Sequence, residues 1–197
     1  YLSFLCINFD APVIKEAASW FLDGVFLNYN SSYLEQMLEQ LLDEDDSLEI
    51  TRFLRAVDVR IDGFRVEKAP EWRGQRVFVK HEVDGKGYEL RLSEESAGTQ
   101  KLMGLASFLL AALERGGTVV VDELDAKLHP KLLRYVILLF KDPEVNKSGA
   151  QLIFSSQDVS TMRNDVFRRD EIWFAARGEW EASQLWSLAD IHEANGN

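Results

Sequence analysis

The stretch Thr118-Val119-Val120-Val121-Asp122-Glu123-Leu124-Asp125 decides the fold of this 197-residue chain. A run of threonine and valine is typical of a strand that is buried on both faces, because β-branched side chains pack well in a sheet covered by helices. Open α/β sheets bind their ligands at the carboxyl ends of their strands. The sequence therefore predicts a buried parallel strand that delivers two adjacent carboxylates, those of Asp122 and Glu123, to a ligand-binding edge.

The segments around this strand alternate between helical and strand periodicity. We predict helices over about 99–115 and 130–140, and strands over 151–155, 172–175 and 183–186. Strand and helix in this alternation indicate a mainly parallel sheet with flanking helices. The predicted fold class is therefore α/β.

The first part of the chain has a different pattern of apolar residues. Apolar residues recur at helical spacing in two stretches, at Ile14, Ala17, Ala18 and Phe21 and at Leu34, Met37, Leu38 and Leu41. The acidic run 43–46 that follows is predicted to be a solvated loop, with an acidic docking face or a cation site as the alternative. We therefore divide the chain into a helical segment, 1–58, and the α/β part, 59–197.

From Val59 to Leu92 the period changes toward two. Val59 and Ile61, and later Val77 and Val79, alternate with polar residues, which indicates antiparallel strands. A hairpin turn is predicted at residues 84–87, between strands over 77–83 and 88–92.

Composition excludes several classes of protein. The chain has 22 Lys and Arg against 33 Asp and Glu, a formal net charge of −11, which repels phosphate backbones and disfavours direct nucleic-acid binding. Apolar runs are far shorter than the roughly 20 residues that cross a bilayer, so no membrane partner is expected. Cys6 is the only cysteine, which excludes an internal disulfide. We expect a cytoplasmic protein.

A second motif precedes the predicted helix over 99–115. The sequence Glu95-Ser96-Ala97-Gly98-Thr99-Gln100 offers a hydroxyl and free backbone N–H groups at a helix start, where the helix dipole favours an anion. Taken alone, this motif is better explained as a helix N-cap. Its position about 25 residues before a strand that ends in Asp-Glu favours the anion-binding interpretation.

Together these motifs resemble the carboxyl-terminal half of an ABC-type ATPase head, and most closely the stand-alone prokaryotic AAA-family ATPases of abortive-infection, phage-defence and toxin–antitoxin modules. Ser96-Ala97-Gly98-Thr99 is similar to the signature motif in a variant with threonine. The stretch 119–123 is similar to the Walker B strand, and 124–130 to the D-loop and the turn after it. The resemblance implies ATP and Mg²⁺ as cofactors.

The resemblance also implies roles for single residues. Asp122 would lie in the magnesium shell, and Glu123 would be the general base or water-orienting residue. The nucleotide-binding set would comprise Ser96, Gly98, Thr99 and Asp125, with Ser96 and Gly98 touching the γ-phosphate of a nucleotide held mainly by the opposite subunit. Asp125 would cross the interface of a homodimer or higher homo-oligomer, and an effector or toxin protein would be the partner that is switched.

Two departures from the family pattern have consequences. The chain contains no glycine-rich phosphate loop ending in Lys-Ser or Lys-Thr, the Walker A motif, since its only Gly-Lys pair is Gly85-Lys86. We therefore expect this chain to be the part downstream of that loop and to bind ATP poorly and be inactive alone.

At the switch segment, Gln157 stands where the family has histidine. Its amide can donate a hydrogen bond but cannot exchange a proton as imidazole does, so turnover is either slow or nearly absent.

Two alternatives belong to other functional classes. The same surface could pair subunits or hold a toxin without useful turnover, as a non-catalytic assembly domain. Alternatively, Asp122, Glu123 and Asp125 could form the carboxylate cluster of a metal-dependent nuclease. The three histidines show no metal-ligand spacing and are expected to be structural or exposed, and a small basic patch, at Arg163, Arg168 and Arg169, is expected to be solvated.

Overall fold

The structure is a computed structural model that describes residues 12–28, 44–57, 59–68, 75–178 and 182–191. The predicted helical stretch at 34–41, Cys6 and His192 lie outside the described residues. The chain divides into two compact units, Tyr1–Gln157 and Asp158–Asn197.

The first unit contains a three-stranded parallel sheet in the order β1-β5-β6. Its strands are β1, Val25–Asn28, β5, Thr118–Val121, and β6, Gln151–Phe154. Strand β5 lies between the other two, and the side chains of Val119 and Val121 are 1% exposed. The parallel sheet and its buried central strand are therefore as predicted.

Strand β1 was not expected in a segment predicted to be helical. Helix α1, Pro12–Asp23, ends one residue before it, and Val25 pairs with Thr118 of β5. Helix α2, Glu44–Ala56, also departs from the prediction, because it begins inside the acidic run that was expected to form a loop. Acidic residues are favourable in the first turn of a helix, where they face the positive end of its dipole.

A second, antiparallel sheet has the order β2-β3-β4. It consists of β2, Gly63–Lys68, β3, Gln75–Val83, and β4, Lys86–Arg91. The predicted hairpin is confirmed: Asp84 and Gly85 form its turn with φ of 52° and 72°, a left-handed pair that suits the twist of a two-residue hairpin. The pair Gly85-Lys86 therefore belongs to a hairpin and not to a phosphate loop.

Val59 and Ile61 precede β2 instead of lying in a strand. The N–H of Val59 donates to the carbonyl of Leu54 at 3.0 Å, and the Arg55 Nε donates to the carbonyl of Ile61 at 2.8 Å. The Val59 N–H therefore satisfies a carbonyl at the carboxyl end of α2. The Ile61 carbonyl is satisfied by the Arg55 side chain, and Ile61 is 1% exposed and belongs to the core.

Helices α3, Ala97–Arg115, and α4, Pro130–Lys141, lie within two residues of their predicted bounds. Helix α3 packs against α2 and buries Leu102, Leu105 and Leu109 completely. It ends at Gly116, whose φ of 78° makes the left-handed cap that glycine tolerates best. Helix α4 buries Leu133, Val136 and Ile137.

The second unit contains the antiparallel pair β7, Trp173–Arg177, and β8, Ser183–Ser187. The rings of Phe174 and Trp186 stack across the pair with centroids 6.0 Å apart. Among the helices of both units that the structure describes, none has the length and apolar content needed to cross a membrane.

Candidate functional site

The carboxyl ends of β5 and β6 bring Asp122 and Ser155 together. The Ser155 hydroxyl donates to Asp122 Oδ1 at 2.5 Å and accepts the N–H of Glu123 at 2.8 Å. The backbone joins the same two segments, since Ser155 N donates to the carbonyl of Val121. Asp122 and Glu123 are exposed at this edge of the parallel sheet, where the sequence predicted a ligand site.

Residues 122–128, which we call the acidic loop, hold Glu123 in an unusual conformation. Its φ is 49°, in the left-handed region that costs a residue with a Cβ about 1–2 kcal/mol. The conformation is held by Ser155, whose hydroxyl binds the Glu123 N–H and whose carbonyl accepts the N–H of Leu124 at 3.0 Å. The side chain of Leu124 is fully buried below. Several contacts therefore fix the backbone at Glu123, from which the side chain projects.

Gln157 lies beside two of the acidic loop's carboxylates. Its side-chain Nε2 donates to Glu123 Oε1 at 3.3 Å, and its backbone N–H donates to Asp125 Oδ2 at 3.2 Å. The structure thus brings Gln157 together with Glu123 and Asp125, which lie more than 30 residues earlier in the chain.

Asp125 is half-buried in the acidic loop. Its Oδ2 accepts the Gln157 N–H, whereas its Oδ1 is buried without a hydrogen-bond partner among the described residues. A buried polar atom left unsatisfied costs about 1–3 kcal/mol. An unpaired carboxylate oxygen at this position fits a donor that a ligand or a second subunit would bring.

Ser96 is the N-cap of α3. Its hydroxyl oxygen accepts the N–H of Thr99 at 3.1 Å and lies 2.8 Å from the Thr99 hydroxyl. The N-cap interpretation is therefore confirmed. The cap leaves Ser96 exposed, and the anion-binding role of Ser96 and Thr99 stays a prediction.

Gly98 packs closely against the backbone of the acidic loop. A Cβ on Gly98 would lie 2.7 Å from the carbonyl oxygen of Lys127, closer than real Cβ contacts come. Lys127 itself has a φ of 64°. The predicted signature motif and the acidic loop are therefore in direct contact, and Gly98 has a packing reason to be glycine as well as the phosphate-binding reason inferred from the motif.

Lys101 was not singled out by the sequence. Its Nζ donates to the carbonyl of Glu123 at 2.5 Å and to that of Ala126 at 2.9 Å. Burial lowers the pKa of Lys101, and the nearby carboxylates of Asp125 and Glu123 oppose that shift. The only available signal was a lysine that follows the signature motif and precedes the apolar part of the helix.

Two histidines have structural partners. His129 caps α4, where its Nδ1 accepts the N–H of Lys131 at 3.2 Å. In His81, Nδ1 lies 2.9 Å from the Arg60 carbonyl, and Nε2 lies 2.6 Å from the carboxylate of Glu95. Structural roles were predicted for both residues.

The arginines of the small basic patch lie in the second unit. Arg163 pairs with Asp165 at 2.9 Å and Arg168 with Asp170 at 3.0 Å, while Arg169 donates to the backbone carbonyls of Leu188 and Ile191. Neighbouring acceptors therefore occupy this patch, as expected for a solvated surface.

Residues 5–163 match the family described as "AAA domain, putative AbiEii toxin, Type IV TA system", which is more than half of the chain. The chain belongs to this family. No curated protein matches it in sequence.

A solved structure from work described as "Structural biochemistry of ATP-driven dimerization and DNA stimulated activation of SMC ATPases" is similar in fold to this family member. The TM-score is 0.52 at 17% sequence identity, over 80% of this chain and 89% of that one. The mixed α/β fold is therefore similar to that of an ATPase head.

An AAA domain of this fold implies that nucleotide and Mg²⁺ bind to it. The oxygen atoms at the acidic loop decide whether Mg²⁺ fits there. Mg²⁺ binds oxygen ligands, usually one or two carboxylates together with water and phosphate oxygens. The Asp122 carboxylate and the Ser155 hydroxyl supply such oxygens at an exposed edge. The residues present therefore fit a magnesium ion that the nucleotide helps to hold.

The three-carboxylate nuclease site fits less well. Within the described ranges, no three His, Cys, Asp or Glu side chains lie close enough to hold a metal ion between them. Asp122, Glu123 and Asp125 follow one another along the chain but do not converge on one point.

Proposed function

We propose that this chain supplies the Walker B, signature and D-loop half of an ATPase that dimerises on ATP and hydrolyses it to switch a partner protein. The observation that carries the proposal is the placement of Asp122, Glu123 and Gln157 at one edge of the parallel sheet. Ser155 holds the Asp122 carboxylate, and Gln157 holds that of Glu123. Phosphoryl transfer depends on such placement and on charge neutralisation more than on covalent help from the protein.

In this proposal each polar group at the edge has a separate task. Bound Mg²⁺ would neutralise charge on the phosphates, and Asp122 would be its protein ligand. The Glu123 carboxylate would orient the attacking water and accept its proton. The Gln157 amide would position that carboxylate and donate a hydrogen bond toward the γ-phosphate, which it can do without carrying a charge.

The proposal assigns Ser96, Gly98, Thr99 and Asp125 to the nucleotide of the opposite subunit. Exposure of the Ser96 hydroxyl at the start of α3 supports this assignment, as does the unpaired Oδ1 of Asp125. The similar solved structure is described as undergoing ATP-driven dimerisation, and we propose the same for this chain. Closure around nucleotide creates contacts that exist in one state only, and hydrolysis removes them.

Two parts of the machinery are proposed to lie outside the sequence given. The phosphate loop would precede this chain in the intact protein, because the 197 residues contain no such motif. The switched partner would be a toxin or another effector in phage defence, which agrees with the toxin–antitoxin system in the family description.

The test is the substitution Glu123→Gln in the intact protein, with Glu114→Gln as the matched control. Glu114 is an exposed residue near the carboxyl end of α3 and has no place in the proposed site. Glu123→Gln keeps the side-chain shape but removes the base, so we expect ATP hydrolysis to fall by about 10²-fold or more. ATP-bound dimer should accumulate in size-exclusion chromatography with light scattering.

The control variant should hydrolyse ATP and dimerise as the wild type does. A dimer that forms equally with and without ATP, and ATP hydrolysis that Glu123→Gln does not change, would favour the non-catalytic assembly domain. Magnesium-dependent DNA cleavage that Asp122→Ala abolishes would favour the nuclease.

A further inference from the structure

Lys101 connects helix α3 to the acidic loop. It lies in the second turn of the helix, five residues after the N-cap Ser96. Its two carbonyl partners, those of Glu123 and Ala126, are 22 and 25 residues further along the chain. One ammonium group therefore bridges the helix that begins at the signature motif and the loop that carries the proposed catalytic carboxylate.

The Lys101 side chain is half-buried. Burial of Lys101 lowers its pKa, so the charged form has lost part of its hydration. An ammonium group carries three donors and no acceptor, and a partly buried one is tolerated when protein acceptors satisfy those donors. Two carbonyl oxygens within hydrogen-bond distance satisfy two of the three donors.

One of these two carbonyl groups also closes a turn of the acidic loop. The Glu123 carbonyl also accepts the N–H of Ala126 at 3.0 Å, which closes the first turn of the loop. Glu123 is held at a φ of 49°, so rotation of this peptide would move its side chain. The contact between Gly98 and the Lys127 carbonyl fixes the other end of the loop to the same helix.

We propose that Lys101 is a positioning residue, which fixes the acidic loop to α3 and thereby sets the place of the Glu123 carboxylate relative to Ser96. This inference rests on the proposed function. In the head-to-tail dimer proposed above, Ser96 and Glu123 of one chain serve different nucleotides. Lys101 would therefore tie the two nucleotide sites together through a single chain.

The experiment compares Lys101→Met, Lys101→Arg and the control Lys131→Met in the intact protein. Methionine keeps much of the length and removes the donors, whereas arginine restores a cation that can bind two carbonyl oxygens. Lys131 is exposed in the first turn of α4, and its replacement removes the same charge. Two readouts are measured: hydrogen exchange at the amides of Leu124, Ala126 and Leu128, and steady-state ATP hydrolysis.

For Lys101→Met we expect exchange at the loop amides to be about tenfold faster, because these N–H groups bond within the loop or to Ser155. We expect kcat to fall about 10-fold to 100-fold with KM nearly unchanged, since a displaced carboxylate affects the reaction more than the binding of ATP. Lys101→Arg should recover most of both effects. Lys131→Met should match the wild type.

Loop exchange that stays at the wild-type rate in Lys101→Met would overturn the proposal. Faster loop exchange with an unchanged kcat would overturn the positioning role. A wild-type intact protein that hydrolyses no ATP would overturn the proposed function and the catalytic part of this inference. Hydrogen exchange at the loop amides, measured in the same samples, would still support or overturn the inference that Lys101 holds the acidic loop.

Discussion

The side-chain amide of Gln157 donates to the carboxylate of Glu123 over 3.3 Å, and the two residues lie at the ends of neighbouring parallel strands. The contact shows that glutamine at this position can orient the proposed catalytic carboxylate. An amide cannot relay a proton or carry a positive charge as imidazole does. The rate of ATP hydrolysis should therefore respond to a change at residue 157 more than ATP binding does.

We predict that Gln157→His in the intact protein raises kcat for ATP hydrolysis by about tenfold or more, because imidazole can carry a positive charge and exchange a proton, which the amide cannot. The measurement is steady-state phosphate release at saturating ATP. Gln184→His, on the exposed strand β8, is the control and should leave the rate unchanged. Equal rates for wild type and Gln157→His would remove residue 157 from the proposed reaction.

Local patterns were sufficient to predict β5, α3 and α4. A run of valine and threonine and the helical spacing of apolar residues each act through neighbours in sequence. The position of Asp122 at the edge of the sheet could be predicted for the same reason, because a residue that follows a strand lies at the carboxyl end of that strand. Gln157 follows β6 in the same way.

Other features depend on contacts that no local pattern records. Strand β1 is four residues long and follows α1 after a single glycine, and it is a strand because Val25–Asn28 pairs with β5. Lys101 has its partners more than 20 residues away, and the role of Gly98 against the Lys127 carbonyl depends on how the acidic loop folds back. Tertiary packing, which a single sequence does not display, decides each of them.

The second prediction concerns His81 and Glu95. The His81 ring lies between the Arg60 carbonyl and the Glu95 carboxylate, and the Glu95 side chain is only 9% exposed. Glu95 directly precedes Ser96, so this pair anchors the start of α3 to the antiparallel sheet. His81→Ala would leave a buried carboxylate without its partner, and we expect it to lower the free energy of unfolding by about 3 kcal/mol.

A double-mutant cycle isolates that pair from the rest of the packing. His81→Ala, Glu95→Ala and the double variant are compared by chemical denaturation of the intact protein. We expect the losses in unfolding free energy of the two single variants to sum to at least about 1 kcal/mol more than the loss in the double variant. The reason is that the second truncation removes a carboxylate that has already lost its partner. Additive losses would show that the contact contributes nothing of its own.

The third prediction separates two reasons for glycine at residue 98. Gly98 is the second residue of α3, and alanine has a higher helix propensity than glycine, so propensity alone predicts that Gly98→Ala stabilises the protein. The contact with Lys127 predicts the opposite sign, since a Cβ would lie 2.7 Å from its carbonyl oxygen. We expect a net destabilisation of about 1–3 kcal/mol, measured by denaturation without nucleotide, as for other overpacked positions.

Gly87→Ala is the matched control for Gly98→Ala, because a Cβ on Gly87 would meet nothing within 4 Å and its φ is not left-handed. The control should be neutral or slightly stabilising. If Gly98→Ala were as stable as wild type and weakened only ATP-dependent dimerisation, the glycine would serve the nucleotide alone. If it lost stability without nucleotide, the loop contact would be sufficient to require glycine, and weaker dimerisation would follow from the displaced acidic loop.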